Sequence, residues 1–393
     1  MTLAHGRGIL AIPGPSVMPD RVLRAMHRAA PNIYDGELVE MVPTIVRDLK
    51  AVARTSGEVA LYIANGHGMW EAALANVCSR GDRVLALATG RFGHGWAECA
   101  RRLGIEVEVL DFGEAPVDPG AVEDALRRDG DARLRAVLAV QVDTATSVLS
   151  DLAAIREAMD AAGHPALLMA DCIACLGVDR LEMDDWGVDV AITGSQKGLM
   201  TPPGMGFAFF GERADAAREH ADIASGYWDW RPRVRPRGFY EYFDGTAPTH
   251  HLYGLREALD MLVHEEGVEA AWRRHDRLAR AVWAAGAAWA EGGAMSFVVP
   301  EPAHRSRAVT TFRMERAADL RAWTEARAGV TLGIGLAEPG AARPSLFRIG
   351  HMGHVDAHSL MGVLGTIQAG LTALGLATGS GALDAAAEIV SGA

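Results

Sequence analysis

Between residues 58 and 210, short runs rich in apolar and β-branched residues alternate with stretches whose apolar residues recur at helical spacing, and this rhythm is the strongest constraint on the fold. The candidate strands are 58–63, 83–88, 106–110, 135–141, 166–170, 188–193 and 205–210, with helical patterns such as 70–78, 95–103, 119–127 and 152–162 between them. Strands separated by helices are joined by right-handed crossovers, which predicts an α/β fold with a mostly parallel seven-stranded sheet covered on both faces. Such sheets bind ligands beyond the carboxyl ends of their strands. Chemistry is therefore expected in the loops that follow the runs.

At 393 residues the chain is longer than one hydrophobic core supports. It reads as an N-terminal arm over 1–18, a large domain over 19–250 and a smaller C-terminal α+β domain over 251–393. The segment 226–245 (GYWDWRPRVRPRGFYEYFDG) interrupts the rhythm; its aromatics and cations either line an entrance or pack at a subunit interface, and the second reading is preferred. Helices are expected at 252–265 and 268–291, and strand-like runs at 308–313 and 346–349. A net charge of -12 repels phosphate backbones and anionic lipid, which argues against nucleic-acid and membrane partners. With no secretory leader pattern and no uninterrupted apolar span, a cytoplasmic location is expected. Cys78, Cys99, Cys172 and Cys175 form no disulfide framework, and Cys172-x-x-Cys175 lacks the second ligand pair of a zinc site, so these are read as core residues. His250-His251 and His351-x-x-His354 lack a completing carboxylate, and no metal is expected.

Five segments fall just past candidate strands, and each has an ordinary use beside a chemical one. Lys197, in Thr193-Gly194-Ser195-Gln196-Lys197-Gly198, attacks an aldehyde if it is sheltered, whereas most lysines in such loops are solvated. Asp171 either holds a pyridine nitrogen protonated or caps the next helix. In Asn65-Gly66-His67-Gly68 the glycines let N–H groups approach a phosphate at a helix start, the alternative being a plain turn; G-x-G-x-x-G is absent, so this is no dinucleotide fingerprint. Phe92, in Gly90-Arg91-Phe92-Gly93, stacks on a flat ring or fills the core. The turn QVDTATS at 141–147, which contains Thr144, offers hydroxyls and a carboxylate or is simply polar. A phosphate cradle, a stacking ring, hydroxyls, an aspartate and a lysine in that order, all at one sheet edge, make a complete inventory for pyridoxal phosphate.

With these residues in place, the chain resembles the class V aminotransferases of the alanine–glyoxylate and serine–glyoxylate group. The similarity runs from Pro13-Gly14-Pro15 through Gly66-His67, Glu71-Ala72-Ala73-Leu74, Gly90-x-Phe92-Gly93, Asp171, Ser195-Gln196-Lys197 and Pro202-Pro203-Gly204 to Thr246, Leu252-Tyr253-x-Leu255-Arg256-Glu257 and Arg348-Ile349-Gly350. The resemblance implies a fold-type I pyridoxal-phosphate transferase. Lys197 takes the place of the Schiff-base lysine, Asp171 that of the pyridine-nitrogen partner, and Phe92 that of the ring-stacking aromatic. Asn65, Gly66, His67, Thr144 and Gln196 fall on cofactor contacts, and Arg348 on the substrate-carboxylate arginine, with Pro13 and Gly14 capping a small pocket. Phe243 and Thr246 fall where relatives use a Tyr and a Thr of the neighbouring subunit to bind phosphate, which implies a homodimer with shared sites; phenylalanine has no group to make that hydrogen bond. The implied reaction moves an amino group from serine, alanine or aspartate to glyoxylate or another small 2-oxo acid. The rival readings are a pyridoxamine–pyruvate-type aminotransferase, a cysteine desulfurase-like lyase, which needs a mobile loop cysteine, and a non-catalytic cofactor-binding module.

Overall fold

The computed structural model describes residues 2–336 and 345–392. Its strands, in chain order, are β1 (Ile9–Ala11), β2 (Glu58–Tyr62), β3 (Arg83–Ala88), β4 (Glu106–Asp111), β5 (Leu134–Val140), the hairpin β6 (Val142–Asp143) and β7 (Val148–Leu149), β8 (Leu167–Asp171), β9 (Val190–Gly194), β10 (Gly206–Phe210), β11 (Ser296–Phe297), β12 (Val309–Arg313), β13 (Val330–Ile334) and β14 (Leu346–Gly350). Seven of them form one sheet in the order β2-β10-β9-β8-β5-β3-β4. All its pairings are parallel except those of β10, which runs antiparallel to both β2 and β9. The expected sheet is present, and its strand bounds lie within two residues of those read from the sequence.

Alternation inside each strand explains why both faces are covered. Val59, Leu61, Val137, Leu168, Ala191, Phe207 and Phe209 join one buried cluster, while Ala60, Tyr62, Leu138, Met169, Ile192, Ala208 and Phe210 join the other. Each large side chain buried in this way contributes roughly 1.5–3 kcal/mol. A charge placed at Leu168, fully buried at the sheet centre, would therefore break the domain before it touched the chemistry.

Register then determines what meets at the carboxyl edge. Val140, Asp171 and Ile192 are paired in a row across β5, β8 and β9, and Gly206 stands opposite both Gly194 and Tyr62. The loops after β2, β5, β8 and β9 thus leave the sheet side by side. Two helices start earlier than their periodicity predicts, at Gly66 and Arg91, because glycine-rich turns lack the apolar spacing that marks a helix yet still take helical dihedrals.

A second sheet, ordered β1-β13-β14-β12-β11, is packed beneath the helices Val268–Ala290, Ala357–Ala373 and Ala382–Ser391. Its first strand comes from the N-terminal arm: β1 pairs in parallel with β13 before the chain crosses to the larger sheet. The helix expected over 252–265 is α-helical only through Thr249–Leu259 and continues as π-helix over Asp260–Glu266. Within its own chain, part of segment 226–245 is anchored against the larger sheet. Trp230 stacks on Phe210 with ring centroids 4.1 Å apart, and the buried Arg233 donates to the carbonyls of Leu61 and Tyr242 and lies 4.2 Å from the centre of the Tyr62 ring. Those contacts engage the two terminal nitrogens of a guanidinium that would otherwise be stranded in the core. Among the described residues, no helix is long and apolar enough to cross a membrane.

Candidate active site

A cavity of about 300 Å³ opens at the carboxyl edge of the larger sheet. Of the residues singled out from the sequence, Gly14, Asn65, Gly66, His67, Phe92, Thr144, Asp171, Gln196 and Lys197 line it. Lys197 leaves the loop after β9, opens onto the cavity and is otherwise surrounded by protein; its amine donates to the Pro13 carbonyl. Burial lowers its pKa to about 8, the positive Arg348 adds to that effect, and Asp171 opposes it. A sizeable neutral, nucleophilic fraction at physiological pH follows.

Asp171 is the last residue of β8 and is 4% exposed. Its Oδ1 accepts from the Ile173 N–H at 2.8 Å and its Oδ2 from the Trp70 indole N–H at 2.7 Å. Burial raises its pKa to about 6 against those two donors, with Asp143 reinforcing the rise and Lys197 opposing it. Among the described residues no arginine pairs with this carboxylate, which leaves it available for a partner inside the cavity.

The helix Gly66–Val77 aims its N-terminus at the same space. Asn65 caps it by accepting from Gly68 N–H at 3.2 Å, which engages the side-chain oxygen and leaves the amide NH₂ for a ligand. A Cβ at Gly66 would sit 2.6 Å from Ile173 Cδ1, so a larger residue there would displace the Ile173 side chain. Partial burial, helped by Arg91, lowers the pKa of His67. Gln196 Oε1 is buried without a hydrogen-bond partner among the described residues, a polar atom that invites a ligand.

The arm closes the cavity above the lysine. Ser16 N–H donates to the Gln196 carbonyl at 2.8 Å and Ser16 Oγ–H to the Lys197 carbonyl at 2.7 Å. Gly14 (φ 98°) crosses so close that a Cβ would lie 2.3 Å from Lys197 Nζ, so only glycine meets both the dihedral and the spacing. Arg348, 7% exposed, stands behind Thr144 rather than in the cavity wall. It donates to the Thr144 and Ile334 carbonyls at 2.7 Å each, and burial lowers its pKa to about 10 against the attraction of Asp143. Among the described residues its Nη2 has no hydrogen-bond partner.

Phe243, the position that the resemblance sets beside a neighbouring subunit's phosphate, is buried in its own chain. Its ring is 1% exposed and packs with Phe239 and Tyr242 in the core of its own subunit, because a side chain without a polar tip gains from burial and has nothing to offer a phosphate. Thr246, three residues on, is exposed. Cys172 and Cys175 are free and buried, and both thiols donate to Gln141 Oε1, in keeping with a core role. His351 bonds to Thr310 and the Arg307 carbonyl.

Trp70 escaped the sequence reading, and Asp143 was read only as the carboxylate of its turn. Trp70 lies one turn after His67, and that i, i+3 spacing on a helix entering the site was the available signal. Asp143, in the QVDTATS turn, accepts from the N–H groups of Phe92 and Gly93 and so anchors the helix Arg91–Arg102 that carries Phe92. A third signal went unused: Lys50 and Lys197 are the only lysines in the chain, so basic surface positions are filled almost entirely by arginine and a lysine is retained at the sheet edge.

A reactive amine and a buried carboxylate at the ends of neighbouring strands, beside a helix N-terminus and an open polar atom, fit pyridoxal phosphate and define a fold-type I enzyme that uses it. Residues 60–335 match the model of the family described as Aminotransferase class-V. The serine–glyoxylate aminotransferase of Methylorubrum extorquens is 38% identical over 376 residues, 92% of this chain and 90% of that protein. The L-aspartate–glyoxylate aminotransferase of Paracoccus denitrificans is 34% identical, covering 96% of this chain and 94% of its own. Among solved structures, pyridoxamine–pyruvate aminotransferase from Mesorhizobium loti superposes with a TM-score of 0.87 at 25% identity, over 99% of this chain and 98% of that one. The chain belongs to the class V aminotransferases: it is a pyridoxal-phosphate-dependent aminotransferase.

Proposed function

We propose that this enzyme moves the amino group of a small amino acid, serine, alanine or aspartate, to glyoxylate or a similarly small 2-oxo acid. The observation that carries the reading is that Lys197 and Asp171 line one cavity from adjacent strand ends. Pyridoxal phosphate, when bound, supplies the electron sink that lets an α-proton leave. Lys197 would hold the cofactor covalently and, once displaced by the incoming amine, carry the proton from the substrate α-carbon; an amine whose pKa is about 8 can both release and accept it near neutral pH. Asp171 would keep the ring nitrogen protonated. The N-terminus of Gly66–Val77, with Asn65, His67 and Gln196, would take the phosphate, Phe92 the ring face and Thr144 the ring oxygen.

Arg348 would bind the substrate carboxylate through its unpaired Nη2, and the Pro13–Gly14 strap limits the pocket to short acceptors. The glyoxylate enzymes among the relatives support that acceptor class. Exposed Thr246 is the remaining candidate for a contact from a second subunit, in a homodimer with shared sites. A lyase reading finds no support in the cysteines: Cys78, Cys172 and Cys175 are buried, and burial pushes the Cys99 thiol up to about 11.

The test is a screen of amino donors against glyoxylate and pyruvate, read as glycine or alanine formed. Glyoxylate with serine, alanine or aspartate should give the highest kcat/KM. If pyridoxamine with pyruvate outruns every amino-acid pair, the donor class proposed here is wrong.

A further inference from the structure

We infer that Trp70 is a positioning residue of this enzyme, its indole N–H holding the Asp171 carboxylate in one orientation and setting that carboxylate's affinity for the proton shared with the cofactor ring. The inference rests on the proposed pairing of Asp171 with the ring nitrogen. Trp70 is 2% exposed and sits in the first turns of Gly66–Val77. Its Nε1–H to Asp171 Oδ2, at 2.7 Å, is the sole side-chain hydrogen bond to that carboxylate among the described residues, the other contact being the Ile173 backbone N–H at 2.8 Å. A carboxylate held by only two neutral donors turns and changes its proton affinity when one is lost.

The same indole touches the neighbouring site residues. The His67 ring meets it edge-on with centroids 4.5 Å apart, the Phe92 ring at 6.3 Å, and Trp96 stacks near-parallel at 6.5 Å. Its far edge is accommodated by Gly95, where a Cβ would fall 3.0 and 3.1 Å from the ring carbons. Trp70 therefore ties the phosphate end, the stacking ring and the ring-nitrogen partner to one rigid body. The charged and titratable groups that bear on Asp171 are Asp143 from the turn after β5, Lys197 from the loop after β9 and the Cys175 thiol, with Arg348 acting on Asp143 and Lys197.

Trp70→Phe keeps most of the apolar volume and removes the donor. Removing a donor to the ionised form raises the pKa of Asp171, so the acid limb of kcat and of the cofactor's absorption should move up by about one pH unit. Cofactor affinity should weaken about tenfold and kcat fall by at least as much, with KM for the amino donor little changed. In an Asp171→Asn background Trp70→Phe should add almost nothing to the loss of cofactor affinity, whereas a residue that merely packs would give additive losses. Full-length Trp70→Phe that binds pyridoxal phosphate with unchanged affinity and an unchanged absorption midpoint, or additive losses in the double variant, overturns the inference alone. Wild-type protein that forms no borohydride-reducible bond with pyridoxal phosphate overturns the functional reading and this inference with it. Should Trp70→Phe fail to fold, Gly95→Ala takes its place. It keeps the N–H but presses on the ring edge, so affinity should drop severalfold; unchanged affinity would overturn the inference.

Discussion

Asp171 and Asp48 are both buried carboxylates, 4% and 2% exposed, and the protein treats them in opposite ways. Asp48, on the helix Glu37–Ala53, is saturated: Arg47, Arg256 and His264 all bond to it, and together they outweigh burial and lower its pKa. Asp171 receives two neutral donors, and burial raises its pKa to about 6. A carboxylate that holds helices together has its partners within the chain. One that serves a ligand is left short of a counter-charge, and the folded apoprotein bears the desolvation until the ligand arrives.

The contrast can be broken at Lys197, the other end of the unsatisfied pair. Lys197→Ala should lower turnover by about a thousandfold or more while leaving the unfolding temperature near the wild-type value, as followed by steady-state kinetics and circular dichroism. Exchanging the two aspartates sharpens the contrast further. Asp171→Asn should cut turnover about a hundredfold at little or no cost in stability, because it removes a poorly compensated buried charge. Asp48→Asn should cost about 3 kcal/mol in denaturant unfolding by stranding its cations, with kcat per folded molecule unchanged. If both variants lose activity in proportion to stability, the distinction between site and scaffold fails.

Gly14→Ala comes next in size. Its Cβ would collide with Lys197 Nζ in a backbone conformation that alanine rarely adopts, so kcat/KM should drop roughly tenfold at a stability cost of about 1 kcal/mol.

The smallest effect is one of pH. The folded-state pKa of Asp171 lies above its unfolded value of about 3.9, so folded apoprotein binds more protons than unfolded chain between about pH 4 and 6, and stability from this group declines as pH rises through that window. Asp48 has the opposite sign: its contribution is complete above the unfolded pKa and is lost as pH falls through the lowered folded one. Urea titrations of the apoprotein should show Asp171→Asn gaining stability over wild type as pH rises from 4 to 6, and Asp48→Asn closing its deficit below pH 4.

The larger sheet was legible because its central strands are buried on both faces and carry unbroken apolar runs, as in 136–140 and 167–170. The candidate residues that follow them were legible for the same reason, since parallel topology places every strand end on one edge. The smaller sheet was harder to read. β1 is three residues long and has no periodicity of its own; only its pairing with β13, some 320 residues away, makes it a strand. The helix starts at Gly66 and Arg91 were hidden because glycine masks helical spacing. Trp70 was missed, and the buried contacts of Arg233 could not be read, because a Trp on a helix and an Arg in a polar segment are recognised only through partners distant in sequence, Asp171 in the first case and the Leu61 carbonyl with the Tyr62 ring in the second. Phe243 was placed by resemblance alone, and its chemistry sent it inward.

With two lysines in the chain, the most direct measurement is reduction of the pyridoxal-phosphate-loaded enzyme with borohydride, followed by peptide mapping. The cofactor should be found on Lys197 in stoichiometric amount, and on nothing in Lys197→Ala. Recovery of the label on Lys50, or a Lys197→Ala enzyme with turnover near the wild-type value, would contradict the account.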